Sequence, residues 1–294
     1  MLVTFRSAEP ADVPRLVELY GRAYRGGYSA CFDRYGLIGP KEFWWVQAEK
    51  SVYLLEVNRK AEGMIVLGRT GGRLLVEEVL GESTGSARGV APLGDVDAVL
   101  LGKIYEFLLH QFHREHQDWM TLRAVETNTL ALSLARRYEF TFANALVVVS
   151  APSHAPAAAL PGEYTMRRAS REDAHAISEL HQDCFHALLP SDELQATLRR
   201  PQTRAFIVER EHYAVGFGML EAKDGAGQWC VGVRESHRRK GVGTALAVET
   251  LGFADRKGVA AIGTYWALEP AVSGFCQRLQ CATERTYLYL EKRI

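Results

Sequence analysis

The stretch with the most chemistry in it runs Gln228-Trp-Cys-Val-Gly-Val233-Arg-Glu-Ser-His-Arg238-Arg-Lys-Gly241-Val-Gly243-Thr-Ala-Leu246. An apolar strand enters a basic turn, and two glycines then open a helix whose apolar positions are Leu246, Val248, Leu251 and Phe253. The first N–H groups of a helix have no intrahelical partner and carry the positive end of the helix dipole, so a phosphate is stabilised there. Glycine lets the backbone close around such an anion. Arg234, His237, Arg238, Arg239 and Lys240 concentrate positive charge beside it, in a chain whose 35 Lys and Arg balance 35 Asp and Glu. This is a local anion site. A dinucleotide fingerprint would need glycine directly after the strand and a small residue in place of Leu246, and a Walker loop would need Gly-Lys-Ser/Thr. Neither fits.

The spacing Val233, Arg238, Gly241, Gly243 resembles motif A of the GNAT N-acetyltransferases, Val-x-x-x-x-Arg/Gln-x-x-Gly-x-Gly/Ala. The resemblance covers about Thr165 to Lys292. It implies acetyl-CoA as co-substrate, with its pyrophosphate held by Arg238, Arg239, Lys240, Gly241, Val242, Gly243 and Thr244, and its pantetheine arm held by the backbone of Val231 and Val233. Gly232 marks a close approach. The family also carries an Asn-x-x-Ala-x-x-x-Tyr helix, whose Asn contacts CoA and whose Tyr protonates the departing thiolate. Here Glu269, Val272 and Cys276 stand at those positions. Cys276 either replaces the acid or fills the core. Relatives often place a glutamate base where this chain has Gly227 and Gln228, which leaves Glu221 as the next candidate base. Tyr287 and Tyr289 share one face of the final strand, and Tyr289 is an alternative acid.

Stepping by 161 residues brings a second copy into view. Thr4-Phe-Arg-Ser-Ala-Glu-Pro-Ala-Asp12 returns as Thr165-Met-Arg-Arg-Ala-Ser-Arg-Glu-Asp173, with Leu16, Glu18, Leu19 and Tyr24 matching Ile177, Glu179, Leu180 and Phe185. Each copy reads as a strand, a helix start and an amphipathic helix, and Ser170 with Asp173 has capping-box spacing. Asn128 to Phe140 matches Glu269 to Cys281 at an offset of 141, so the first copy holds about twenty extra residues, assigned to the glycine-rich segment Gly81 to Asp97. The first copy keeps Asn128 and Ala131, has Ala135 at the tyrosine position, and lacks the Arg-x-x-Gly-x-Gly loop. Acetyl-CoA is therefore expected in the second copy only.

Strands paired by hairpins and then alternating with helices predict a mixed α+β fold: two tandem GNAT-like domains, each a mostly antiparallel twisted sheet flanked by helices. The expected boundaries are residues 1–150 for a degenerate domain, 151–162 for a proline-bearing linker and 163–294 for the acetyl-CoA-binding domain. The tandem plan with one degenerate half resembles that of mycothiol synthases. In such a plan the phosphate loop is local, so the second half alone is expected to keep cofactor binding.

The remaining features bound the reading. Five scattered cysteines without a CxxC pair point to a reducing cytoplasm rather than a disulfide framework or zinc ribbon, and no basic leader or long apolar run is present. Zero net charge gives no field for nucleic acid or membranes. His110, His113 and His116 step by three, but without acidic or cysteine partners at matching spacing, and no metal is expected. Phe43, Trp44 and Trp45 read as core of a helix. The expected activity is acetyl transfer from acetyl-CoA to a primary amine, on a small molecule or peptide, by direct attack in the second domain of a monomer or homodimer. The alternative is a CoA-binding sensor or scaffold without turnover.

Overall fold

The computed structural model describes residues 2–25, 50–70, 73–81, 98–152, 159–186, 189–223 and 226–294; Cys31, Phe43, Trp44, Trp45, most of the glycine-rich segment and the middle of the linker lie outside them. The chain forms two compact units, one of Met1–Leu146 with Arg285–Ile294, the other of Val147–Glu284.

In the first unit β1 (Val3–Ser7), a 3₁₀ turn and α1 (Val13–Arg25) precede the antiparallel run β2 (Ser51–Val57), β3 (Lys60–Thr70) and β4 (Arg73–Gly81). Then follow α2 (Ala98–Arg114), β5 (Trp119–Val125) parallel to β4, α3 (Thr129–Arg137) and β6 (Thr141–Ala151). The second unit repeats the plan with β7 (Thr165–Arg168), α4 (Ala174–Phe185), α5 (Ser191–Leu198), β8 (Thr203–Arg210), β9 (Tyr213–Lys223) and β10 (Ala226–Val233). It continues with α6 (Val242–Lys257), β11 (Ala260–Trp266) parallel to β10, α7 (Pro270–Arg278) and β12 (Ala282–Arg293). Sheet and helices thus follow the mixed α+β tandem plan read from the repeat.

The repeat is also visible in its ion pairs. Arg6 bonds Asp12 at 2.6 Å and Glu56 at 2.9 Å in the first unit, and Arg167 bonds Asp173 and Glu209, both at 2.7 Å, in the second. Asp12 and Asp173 each also accept a backbone N–H three residues earlier, at Glu9 and Ser170, so one carboxylate caps the helix entry and ties it to the first strand. The Arg167 guanidinium holds the Asp173 carboxyl down at about 2. Because the folded value lies below the unfolded one, this contribution to stability is fully present above about pH 5 and is lost as pH falls through about 2. We expect Asp173→Asn to flatten the acid limb of stability between pH 4 and pH 2 relative to the native chain, measured by urea denaturation across that range.

The ends of the units differ from the sequence boundaries. Residues 285–294 read as part of the second domain, but Tyr287 to Arg293 of β12 pair antiparallel with Val125 to Trp119 of β5, which places them in the first unit. Residues 147–150 read as part of the first domain, but Val147 and Val149 pack with Cys276, and Ala151 packs against the cluster containing Leu251 and Phe253. Both long strands, β6 and β12, begin in one unit and end in the other. Their alternation of apolar residues is the same in either sheet, so pattern alone does not choose between them.

Candidate functional site

In the second unit β10 is paired along its whole length with β9, from Ala226↔Lys223 to Val233↔Gly216. With β11 it pairs only through Ala226, Gly227 and Gln228. Beyond Gln228 the two parallel strands part. The Arg234 N–H donates to the Val215 carbonyl at 2.9 Å, which sets the antiparallel phase: residues 228, 230 and 232 turn their backbone groups toward β9, and Val231 and Val233 turn theirs into the wedge left beside β11.

The wedge leads to the start of α6. Gly216 and Gly218 of β9 let this helix lie close, since a Cβ on Gly218 would meet Thr250 Cγ2 at 3.0 Å and one on Gly216 would meet Leu246 Cδ1 at 3.2 Å. The helix is further fixed by Trp229 Nε1 donating to Thr250 Oγ1 at 3.0 Å. Its N-cap, Gly241, has φ 84° and no side-chain cap, a left-handed conformation in which a side chain would be strained. The first N–H groups of α6 therefore face outward without a competing acceptor from the cap. Arg238 donates from Nε to the Val233 carbonyl at 3.0 Å, joining the basic turn to the strand, while Arg238, Arg239 and Lys240 remain exposed. These donors and charges fit a pyrophosphate.

Several neighbours of this loop have no signature in the sequence. Tyr164 OH lies 3.1 Å from His237 Nδ1, and burial, followed by Lys240 and Arg210, pushes the His237 pKa down. The end of the linker borders the loop, with the Ala159 carbonyl oxygen 3.7 Å from the position a Gly241 Cβ would take. Arg234, grouped with the phosphate-loop cations by spacing, instead pairs with Asp183 at 2.6 Å and covers the Tyr213 ring. Gly232 does make room for a close approach, but the approaching groups are Phe217, at 2.6 Å from a Cβ built there, and Cys184, at 3.2 Å. Contacts of this kind join residues far apart in the chain and leave no periodic trace.

The first unit has the same parting of strands, since β4 pairs β5 only from Arg73 to Val76. There the wedge is filled from within. Asn128, fully buried, caps α3 by accepting from Ala131 N–H at 3.0 Å and donates from Nδ2 to the Val79 carbonyl at 3.0 Å. In the second unit Glu269 stands at that position, exposed and making no side-chain cap to α7. Among the described residues Glu269 has no hydrogen bond to β10 that corresponds to the one from Asn128 to β4.

The candidate catalytic residues are not gathered together. Glu221 lies across from Gln228, where β10 and β11 begin to part, and its carboxylate is ion-paired with Arg200. Cys276 is buried, and its thiol is pushed above the ordinary range by its hydrogen bond to Cys281 and by burial. Tyr289 belongs to the first unit, opposite Arg123 of β5. His110, His113 and His116 are exposed, and among the described residues no group of three or more His, Cys, Asp or Glu could hold a metal. Among the described residues no helix is long and apolar enough to cross a membrane.

Residues 174–272 match the acetyltransferase (GNAT) family. The chain is similar in structure to a GCN5-related N-acetyltransferase from Sphaerobacter thermophilus, with a TM-score of 0.73 at 18% identity over 99% of this chain and 95% of that one. It is also similar to a tandem GNAT protein from the clavulanic acid biosynthesis pathway, with a TM-score of 0.68 at 13% identity over 99% of this chain and 98% of that one. A GNAT-family acetyltransferase from Colwellia psychrerythraea gives a TM-score of 0.61 at 13% identity, covering 98% of this chain and all of the other. At these identities the likeness establishes the fold. No curated protein matches the chain.

Proposed function

Because the chain is a tandem GNAT-fold protein whose second half matches the acetyltransferase family, we propose that this half binds acetyl-CoA and transfers the acetyl group to a primary amine by direct attack. The observation that carries the reading is the wedge past Gln228, where the backbone of Val231 and Val233 is no longer paired with β11, and which ends at the α6 N-terminus beside Arg238. Acetyl-CoA supplies the activated acetyl thioester. Backbone groups of Val231 and Val233 orient the arm, and the α6 N–H groups with Arg238, Arg239, Lys240, Gly241, Val242, Gly243 and Thr244 hold the phosphates. An amine attacks only as the neutral base, so a proton must leave it. Glu221, ion-paired with Arg200 beside the point where the wedge opens, takes that proton directly or through water.

The test is release of free CoA thiol from acetyl-CoA across a panel of amines, with the native chain and Glu221→Gln. Turnover with at least one amine is expected, and the variant should lose about 10²-fold or more in kcat while its Kd for acetyl-CoA stays within twofold. Unchanged kcat in the variant would remove Glu221 from the mechanism. A second reading, a CoA sensor without turnover, is favoured by the burial of Cys276, the residue at the position where the family places its acid. Tight acetyl-CoA binding with no thiol release from any amine would support it.

A further inference from the structure

At the far end of α6 from the phosphate loop four cations gather, with Asp255 in the same last turn of the helix. β7 ends at Arg168, which pairs with Phe206 of β8, and Arg204 lies two residues along β8 on the same face, a diagonal spacing of about 7–8 Å. The last turn of α6 adds Arg256 and Lys257. The Arg204 guanidinium lies 4.9 Å from the centroid of the Phe253 ring, and Lys257 Nζ lies 5.7 Å from the same centroid. Arg256 folds back so that a guanidinium nitrogen stands 3.5 Å from where a Gly252 Cβ would be.

None of Arg168, Arg204, Arg256 and Lys257 has an ion-pair partner among the described residues, while Arg200 nearby is satisfied by Glu221. The negative end of the α6 dipole accounts for Arg256 and Lys257. It does not account for Arg204, whose Nε is buried without a hydrogen-bond partner and whose pKa is pushed down by burial, then by Arg168 and Arg256. A guanidinium packed on the Phe253 ring beside two like charges, with no carboxylate partner, leaves a local excess of positive charge that an anion at its outer nitrogens would offset.

We propose that this face of the second unit is a second anion site, binding a phosphate group through the guanidinium forks of Arg204 and Arg168 with Arg256 completing the cluster. Guanidinium matches phosphate with two parallel hydrogen bonds, and Phe253 provides the rigid floor that holds Arg204 in place. The site is independent of the acetyl-CoA loop, because the two lie at opposite ends of a 16-residue helix, about 24 Å apart.

The experiment measures binding of inorganic phosphate and of glycerol 3-phosphate to the full chain by calorimetry, with sodium chloride at matched ionic strength as control. The native chain is expected to bind phosphate where chloride has no effect. Arg204→Lys, which keeps a cation over Phe253 but loses the fork, and Arg168→Met should each weaken binding at least tenfold, with the Kd for acetyl-CoA and the melting temperature unchanged. Binding of glycerol 3-phosphate tenfold tighter than inorganic phosphate assigns the site to a phosphomonoester, and equal or weaker binding assigns it to the free ion. Phosphate binding that survives Arg204→Lys but disappears in Arg238→Met belongs to the cofactor loop and overturns the proposal. So does an effect no larger than that of chloride.

Discussion

A chain cut to residues 160–294 will not fold into a domain that binds acetyl-CoA. The cut removes Val147, Val149 and Ala151 from the second unit, where they pack against Cys276, Phe275 and the Leu251–Phe253 cluster. Burying a valine stabilises a fold by about 1.5–3 kcal/mol, and two of them, with the strand that covers the edge of β11, are a large part of a net stability of about 5–15 kcal/mol. The piece also keeps residues 285–294 as an unpaired strand, because their partner β5 is gone, and such an edge promotes aggregation. This reverses the expectation drawn from the local character of the phosphate loop. Circular dichroism and urea denaturation of 160–294 should show no cooperative transition. Deleting 285–294 from the full chain should likewise remove the cooperative unfolding of the first unit, since Tyr287 and Leu290 are buried there. A cooperative, acetyl-CoA-binding 160–294 fragment would show that β6 is dispensable to the second unit.

The second large effect belongs to the phosphate loop. A Cβ on Gly243 would meet only ordinary contacts, Phe275 Cε2 at 3.5 Å and Val233 Cγ2 at 3.6 Å, so Gly243→Ala should fold and keep much of its affinity. A longer branched chain must push into Phe275 or cover the N–H donors of the first turn. Gly243→Val is therefore expected to weaken acetyl-CoA binding about 100-fold. Arg238→Met removes charge-assisted hydrogen bonds worth about 1.5–3 kcal/mol, a factor of about 10 to 150 in Kd. Calorimetry should also give one acetyl-CoA per chain, because Asn128 already occupies the first unit's wedge through the Val79 carbonyl. Asn128→Ala would open that wedge without supplying a phosphate loop and should leave the stoichiometry at one. Two acetyl-CoA per native chain, or unchanged affinity in Gly243→Val, would refute the assignment of the site.

The sequence by itself determined the duplication, the element order and the strand, basic turn and glycine-opened helix from Gln228 to Leu246, because each rests on local periodicity or on residues close in the chain. Arg6 with Asp12 and Arg167 with Asp173 repeat at the same short spacing, and the strand, basic turn and glycine-opened helix from Gln228 to Leu246 are contiguous. Only the tertiary structure decided which sheet each long strand completes. β6 and β12 have a period of two that suits either sheet, and pairing partners such as Tyr287 with Val125 are separated by more of the chain than any pattern spans. The same limit hid the contrast between Asn128, which seals one wedge, and Glu269, which among the described residues has no corresponding hydrogen bond to β10. A hydrogen bond from a helix cap to a distant strand carbonyl depends on where two elements meet, and that is set by packing of the whole unit.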